Sequence, residues 1–158
     1  MKITDILTED VIRTNLPGSS KTEIINAMVD LAAHQKKIVD KEKMRQAIFE
    51  REKIMSTGVG GGFAIPHGKT DSVTDIVGAF AVTAQPIDYQ SLDEQPVRIL
   101  FLLVGRDTMV GPDIKLLSRI SRLMNKADFR EKLLEARSSS EILEIFKEEE
   151  ATTFEPQS

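Results

Sequence analysis

The sequence predicts an α/β domain, a three-layer α/β/α sandwich with a small mixed β-sheet, spanning residues 1–150. Three observations predict it. Val97 to Val104 is an almost unbroken apolar run of strand length, the pattern of a central strand covered on both faces. Helix-periodic segments lie on both sides of it in the chain, two before and three after. The 158 residues are enough for one domain with a sizeable core.

Ile3, Ile6 and Leu7 open the chain as a short apolar patch, and Ile12, Thr14 and Leu16 then alternate with Arg13 and Asn15 as in a half-buried strand. Pro17-Gly18 is a turn signal. Ser20 and Glu23 form a capping-box pair, the hydroxyl accepting from the Glu23 N–H while the carboxylate reaches back. They open a helix predicted from Ser20 to about Lys37, with Ile24, Met28, Leu31 and Gln35 at helical spacing. His34 falls at the border of its apolar side, which predicts a partly buried, hydrogen-bonded imidazole and no site. A second helix runs from Asp40 to about Lys53, its apolar face made by Met44, Ala47 and Ile48.

Asp75 to Ala84 reads as a strand, separated from the long apolar strand by Pro86 and the polar stretch Gln90 to Pro96. Gly105 to Pro112 is a loop. Asp113 to about Asn125 is a helix with Ile114, Leu117, Ile120 and Met124 as its inner stripe, widened by Leu116 and Leu123. Asp128 is placed to cap a helix over Phe129 to Ala136, and Ser138 with Glu141 opens a last helix carrying Ile142, Leu143, Ile145 and Phe146 inside. Glu148-Glu149-Glu150 opposes the dipole at a helix C-terminus, so fraying is expected there and a disordered tail over residues 151–158.

Composition narrows the function. Net charge of −4 and a pI near 5.3 argue against a broad nucleic-acid-binding surface. The chain has no cysteine, hence neither disulfides nor thiol chemistry, and no run approaches the ~20 apolar residues that span a membrane. The expectation is a cytoplasmic protein with no direct membrane insertion.

Chemistry concentrates in Ser56-Thr57-Gly58-Val59-Gly60-Gly61-Gly62-Phe63-Ala64-Ile65-Pro66-His67-Gly68, which holds five of the nine glycines and one of the two histidines. Such a cluster lets backbone approach a ligand closely, and a run of N–H groups beside a neutral imidazole suits an anion, phosphate first of all. Pro66 stiffens the approach to His67. Arg51 occupies the next position on the apolar face of the second helix, where a guanidinium needs a partner: a phosphoryl group, which its planar fork fits, or a carboxylate such as Glu52 or Asp71. Gly68-Lys69-Thr70 imitates the close of a P-loop, but the glycine spacing is one residue too long, Pro66 removes an N–H and a helix leads in. No G-x-S-x-G elbow occurs, and His67 with Asp71 is a weak basis for a metal site.

Arg51-Glu52, Ser56-Thr57-Gly58-Val59-Gly60 and Ala64-Ile65-Pro66-His67-Gly68 together resemble the signature of the fructose/mannitol-type IIA domain of the bacterial phosphotransferase system, a family that includes the nitrogen-regulatory IIA proteins. The likeness runs from about Ile3 to about Lys147. It implies that His67 accepts a phosphoryl group from the phosphocarrier HPr, or its nitrogen-branch counterpart, and passes it to a IIB domain or, in a regulatory protein, controls binding to target proteins. It aligns Arg51 with the family's active-site arginine. It also implies attack by Nε2, with Nδ1–H held by an acceptor the sequence does not name, and no metal or bound cofactor. Ser56, Thr57, Gly58, Gly60, Gly61 and Gly62 are the phosphate-binding candidates.

Three roles stay open: a nitrogen-regulatory protein, favoured by the stretch Pro86 to Val97, a free-standing sugar-transport IIA, and a degenerate binding module that is never phosphorylated. The last arises from one departure. Many members carry a second active-site histidine in an H-L-x-x-L motif, where this chain has Asp113-Ile114-Lys115-Leu116-Leu117. Asp113 is expected to cap a helix or, if it faces His67, to repel the phosphoryl group or raise the imidazole pKa.

Overall fold

The computed structural model describes residues 1–108 and 110–154. Two strands make the middle of the sheet: β4 (Val77–Ile87) and β5 (Val97–Gly105) run antiparallel with Phe80 opposite Phe101. The edge strand β1 (Ile12–Leu16) lies parallel to β4. On the other side, two fragments, β2 (Phe63–Ala64) and β3 (His67–Lys69), both lie parallel to β5. α1 (Lys21–Ala32) and α2 (Lys41–Ile54) pack on one another and on β4 and β3, respectively. α3 (Val110–Met124), α4 (Ala127–Glu135) and α5 (Ser139–Phe154) form the other layer, α3 and α4 against β5 and α5 against β1. The three-layer sandwich with a mixed sheet stands as predicted, and the apolar run of β5 is buried along nearly its whole length, as a strand covered on both faces must be.

The helix starts follow their capping chemistry. Ser20 Oγ accepts from the Glu23 N–H at 3.2 Å, Asp40 accepts from the N–H groups of Glu42 and Lys43, and Ser138 Oγ accepts from the Glu141 N–H. In both capping-box pairs the carboxylate reaches one residue further back than predicted: Glu23 accepts from Ser19 N–H at 2.8 Å and Glu141 from Arg137 N–H at 3.0 Å.

Four expectations need correction. α1 stops at Ala32, because the Gln35 amide turns back to donate to the carbonyls of Ala32 and Gly78 and ties the chain to β4; His34 beyond the helix end is exposed. α3 begins at Val110, with Pro112 inside its first turn, where a missing N–H costs nothing. Its buried face is Asp113, Leu116, Ile120, Leu123 and Met124, while Ile114 is 59 % exposed and Leu117 half-buried. Asp128 sits in the first turn of α4 and Lys126 is its N-cap residue.

The fourth correction concerns the C-terminus. α5 carries on to Phe154, so residues 151–154 of the expected tail are helical, and residues 155–158 lie outside the described residues. Glu150 does not fray. It is 2 % exposed and accepts from the N–H groups of Ile3 (2.7 Å) and Thr4 (3.0 Å) and from Arg119 (3.2 Å). The Arg119 and Arg122 guanidinium groups lie 4.0 and 5.3 Å from the Phe154 ring centroid. Tertiary partners outweigh the dipole penalty, which is worth only about 0.3–1 kcal/mol.

Candidate functional site

His67 opens β3, opposite Leu103 of β5. The segment arrives there because Phe63 and Ala64 pair with Ile99 and Leu100, Ile65 N–H donates to the Thr57 carbonyl, and Pro66 offers its carbonyl to Leu103 N–H. Behind His67, Gly68 lets α2 come close: a Cβ there would stand 3.3 Å from the Ala47 backbone. The His67 Nδ1 lies 2.7 Å from the Ile65 carbonyl oxygen. A carbonyl only accepts, so Nδ1 carries the hydrogen and Nε2 keeps the lone pair in the neutral ring. This supplies the acceptor that the sequence left unnamed.

The ring lines a cavity of about 420 Å³ shared with Ala47 and Arg51 from α2, Lys69 from β3, Leu103 from β5, and Asp113, Ile114 and Leu117 from α3. Burial holds the His67 pKa below its usual 6.5; the Ile65 hydrogen bond opposes this, and the Arg51 charge adds to it. Glu52 and Asp113 push the other way without prevailing. Asp113 thus pushes the imidazole pKa up, in the expected direction, but desolvation outweighs it and the net shift is downward.

Arg51 reaches the site from the last turn of α2, where its guanidinium also donates to the Met55 carbonyl at 2.9 Å and so caps that helix. Neither carboxylate suggested as its partner takes it: Asp71 faces Arg106 at 3.8 Å, and Glu52 is occupied elsewhere. Asp113 is 7 % exposed and its Oδ1 is buried without a hydrogen-bond partner. It fits because Gly105 has no side chain; a Cβ there would fall 2.1 Å from both carboxylate oxygens.

The glycine loop is not assembled around His67. Gly62 precedes β2 and its carbonyl accepts from Arg98 N–H and Ile99 N–H, at the start of β5, whereas His67 pairs with Leu103. Five residues of strand, roughly 16 Å, separate those positions. Gly60, Gly61 and Gly62 take φ of 149°, 76° and 80°, the left-handed backbone glycine permits, and Gly61 N–H donates to Asp93 at 3.2 Å. The Gly58 N–H donates to Ser56 Oγ at 3.2 Å. Thr57 N–H donates to Glu52 at 2.7 Å and its hydroxyl bonds Glu52 and Tyr89, so neither donor is offered to an anion.

Residues 5–149 match the family of phosphoenolpyruvate-dependent sugar phosphotransferase system proteins, EIIA 2. The chain belongs to this EIIA family. It is 36% identical over 148 residues to the fructose-specific EIIABC component of Bacillus subtilis, covering 94% of this chain and 23% of that larger protein, so it spans about a quarter of that relative. It is also 36% identical over 149 residues to the nitrogen regulatory protein of Bradyrhizobium diazoefficiens, covering 92% and 94% of the two chains. In three dimensions it resembles the nitrogen regulatory protein IIA-Ntr of Neisseria meningitidis, with a TM-score of 0.86 and 28% identity over 91% of this chain and 98% of that one.

One residue of the EIIA signature was missed as an organiser. Glu52, 8 % exposed, receives Thr57 N–H, Thr57 Oγ1–H and Tyr89 OH (2.9 Å), with Lys21 Nζ at 3.6 Å. It locks the start of the loop onto α2, and through Thr57 the carbonyl that holds Ile65. The signal was its place in the signature beside Thr57, five residues on. Among the described residues no group of three or more acidic or histidine side chains is gathered for a metal, and no helix is long and apolar enough to cross a membrane.

Proposed function

We propose that this EIIA chain is a phosphoryl carrier that accepts the group on Nε2 of His67. The observation that carries this reading is the 2.7 Å bond from Nδ1–H to the Ile65 carbonyl, in a ring that lines the Arg51 cavity. Nε2 attacks phosphorus with its lone pair, the donor's P–N bond breaks, and the electron pair returns to the donor's ring nitrogen. Nδ1 keeps its hydrogen throughout, so no proton has to leave His67. Little covalent chemistry falls to the protein, which positions the groups in line and stabilises charge on the phosphoryl oxygens. Arg51 supplies that charge from α2, with Lys69 on β3 as a further cation at the cavity.

The donor is a phosphocarrier of the HPr type. Of the two branches we favour the regulatory one on the Pro86 to Val97 stretch; equal 36% identity to a fructose component and to a nitrogen regulatory protein keeps a sugar-transport IIA as the second reading. Incubation with the phosphocarrier, its kinase and phosphoenolpyruvate should place one acid-labile phosphate on the chain, absent in His67→Ala and kept in His34→Ala. Label that persists in His67→Ala refutes the assignment. Comparing rates from HPr and from its nitrogen-branch counterpart, and onward transfer to a IIB domain, separates the two branches.

A further inference from the structure

Among the described residues Asp113 is the single acidic side chain lining the His67 cavity, and its Oδ1 is buried without a hydrogen-bond partner. Its neighbours on the buried face of α3 are Leu116, Ile120, Leu123 and Met124, so packing alone would favour an apolar residue there. Although it sits in the helix's first turn, Oδ1 accepts no N–H, which removes capping as the explanation for that atom. Gly105 leaves the space it fills.

The charges around it come from three elements. β3 presents His67 and Lys69, α2 presents Arg51 across the cavity, and β5 lines it with Leu103 and meets Asp113 at Gly105. On α3 itself the charged residue next along the chain, Lys115, is exposed. Burial holds the Asp113 carboxyl above the usual aspartate range, against the pull of Lys69 and His67. A phosphoryl group on His67 would bring about two negative charges into this space, a load that favours protonation of any nearby carboxylate.

Resting on the reading of His67 as the acceptor, we propose that Asp113 is its proton-coupled partner: ionised beside the bare imidazole, it takes one proton from solvent when the phosphoryl group arrives and donates that hydrogen to a phosphoryl oxygen. The reverse transfer returns the proton to solvent. The transferred P–N bond is exchanged as described above, and the proton is the only added participant. Because the phosphorylated state then binds one proton more, the equilibrium shifts toward phospho-His67 as pH falls, by up to about tenfold per pH unit between the two Asp113 pKa values.

The experiment measures the phosphoryl-exchange equilibrium with HPr from pH 6 to 8.5, in the wild type and in Asp113→Asn, whose amide is a fixed neutral donor. Proton uptake is followed in weakly buffered solution with an indicator dye. The wild type should gain phospho-His67 as pH falls and take up more protons per phosphate than the variant, whose equilibrium should lie near the wild type's low-pH limit. The contribution of the donor is common to both proteins, and that of the His67 ring, whose pKa Asp113 pushes up, is measured in each by NMR titration and subtracted, so the remaining difference reads Asp113. Equilibria within twofold at every pH, with equal proton uptake, overturn the proposal. If Asp113→Asn fails to fold, uptake in the wild type decides once the proton change of the donor, measured as it loses its phosphate alone, and that of the His67 ring are subtracted, and no remaining uptake overturns the proposal. A wild type that gains no acid-labile phosphate at any pH refutes the carrier reading itself, whereas phosphorylation without proton uptake refutes only the role of Asp113.

Discussion

With the Ile65 carbonyl accepting its Nδ1–H, His67 offers Nε2 in every neutral molecule, and burial keeps the ring neutral below the usual imidazole range. Its folded pKa lies under 6.5, so the unfolded chain binds more protons between the two values. The stability contributed by the neutral ring is present above pH 6.5 and lost as pH falls toward the folded pKa. Arg51 contributes to the depression, and Arg51→Gln should raise the His67 pKa, read by NMR titration of the ring nitrogens; an unmoved titration would separate Arg51 from the site. Arg51→Lys should keep the fold and slow phosphoryl transfer by about tenfold or more, each tenfold being ~1.4 kcal/mol of transition-state stabilisation. Unchanged kinetics would leave Arg51 as a cap on Met55 alone.

At the scale of elements, the meeting of β5 and α3 is decided by a pair, Gly105 and Asp113. Gly105→Ala puts a methyl 2.1 Å from both carboxylate oxygens, so one of the two elements must shift. It should cost roughly 1–3 kcal/mol in chemical denaturation, and Asp113→Ala in the same chain should restore most of it. Additive losses in the double variant would mean that the two do not share one space. This pair also marks the limit of what the sequence made legible. That His67 and Arg51 line one cavity, and the caps at Ser20 and Ser138, could be read from the sequence because each rests on a local pattern. The buried face of α3 was not, since Ile114 and Leu117 obey the same helical period as Leu116 and Ile120; only the sheet beneath tells which set turns inward. The glycine loop was misplaced because adjacency in sequence to His67 is undone by a strand that carries the chain to the other end of β5.

Across the whole molecule, two long-range ties close the layer of α3 to α5 onto the sheet. Phe146 of α5 stands edge-to-face with Phe80, Phe101 and Phe129 at 5.1–5.9 Å, joining α4 and α5 to both central strands. Glu150 joins the other end of α5 to the N-terminal segment and to α3. Glu150→Ala strands the buried Ile3 N–H, the part-buried Thr4 N–H and the Arg119 guanidinium together, and should lower stability by about 2–4 kcal/mol. Limited proteolysis should then cut first near Ile3, while phosphoryl transfer by the folded fraction stays unchanged. Protection equal to the wild type would show that the N-terminal segment is held by its apolar side chains alone.

The broken edge formed by β2 and β3 bears on how the protein behaves when crowded. A long, flat outer strand is a template on which other chains polymerise. Here that border is cut into pieces of two and three residues, Pro66 between them has no N–H to give, and α2 presses against the second piece at Gly68. The same interruption that sets His67 on the wall of its cavity denies a continuous ribbon to an incoming strand, so this border of the sheet is closed to fibrous growth.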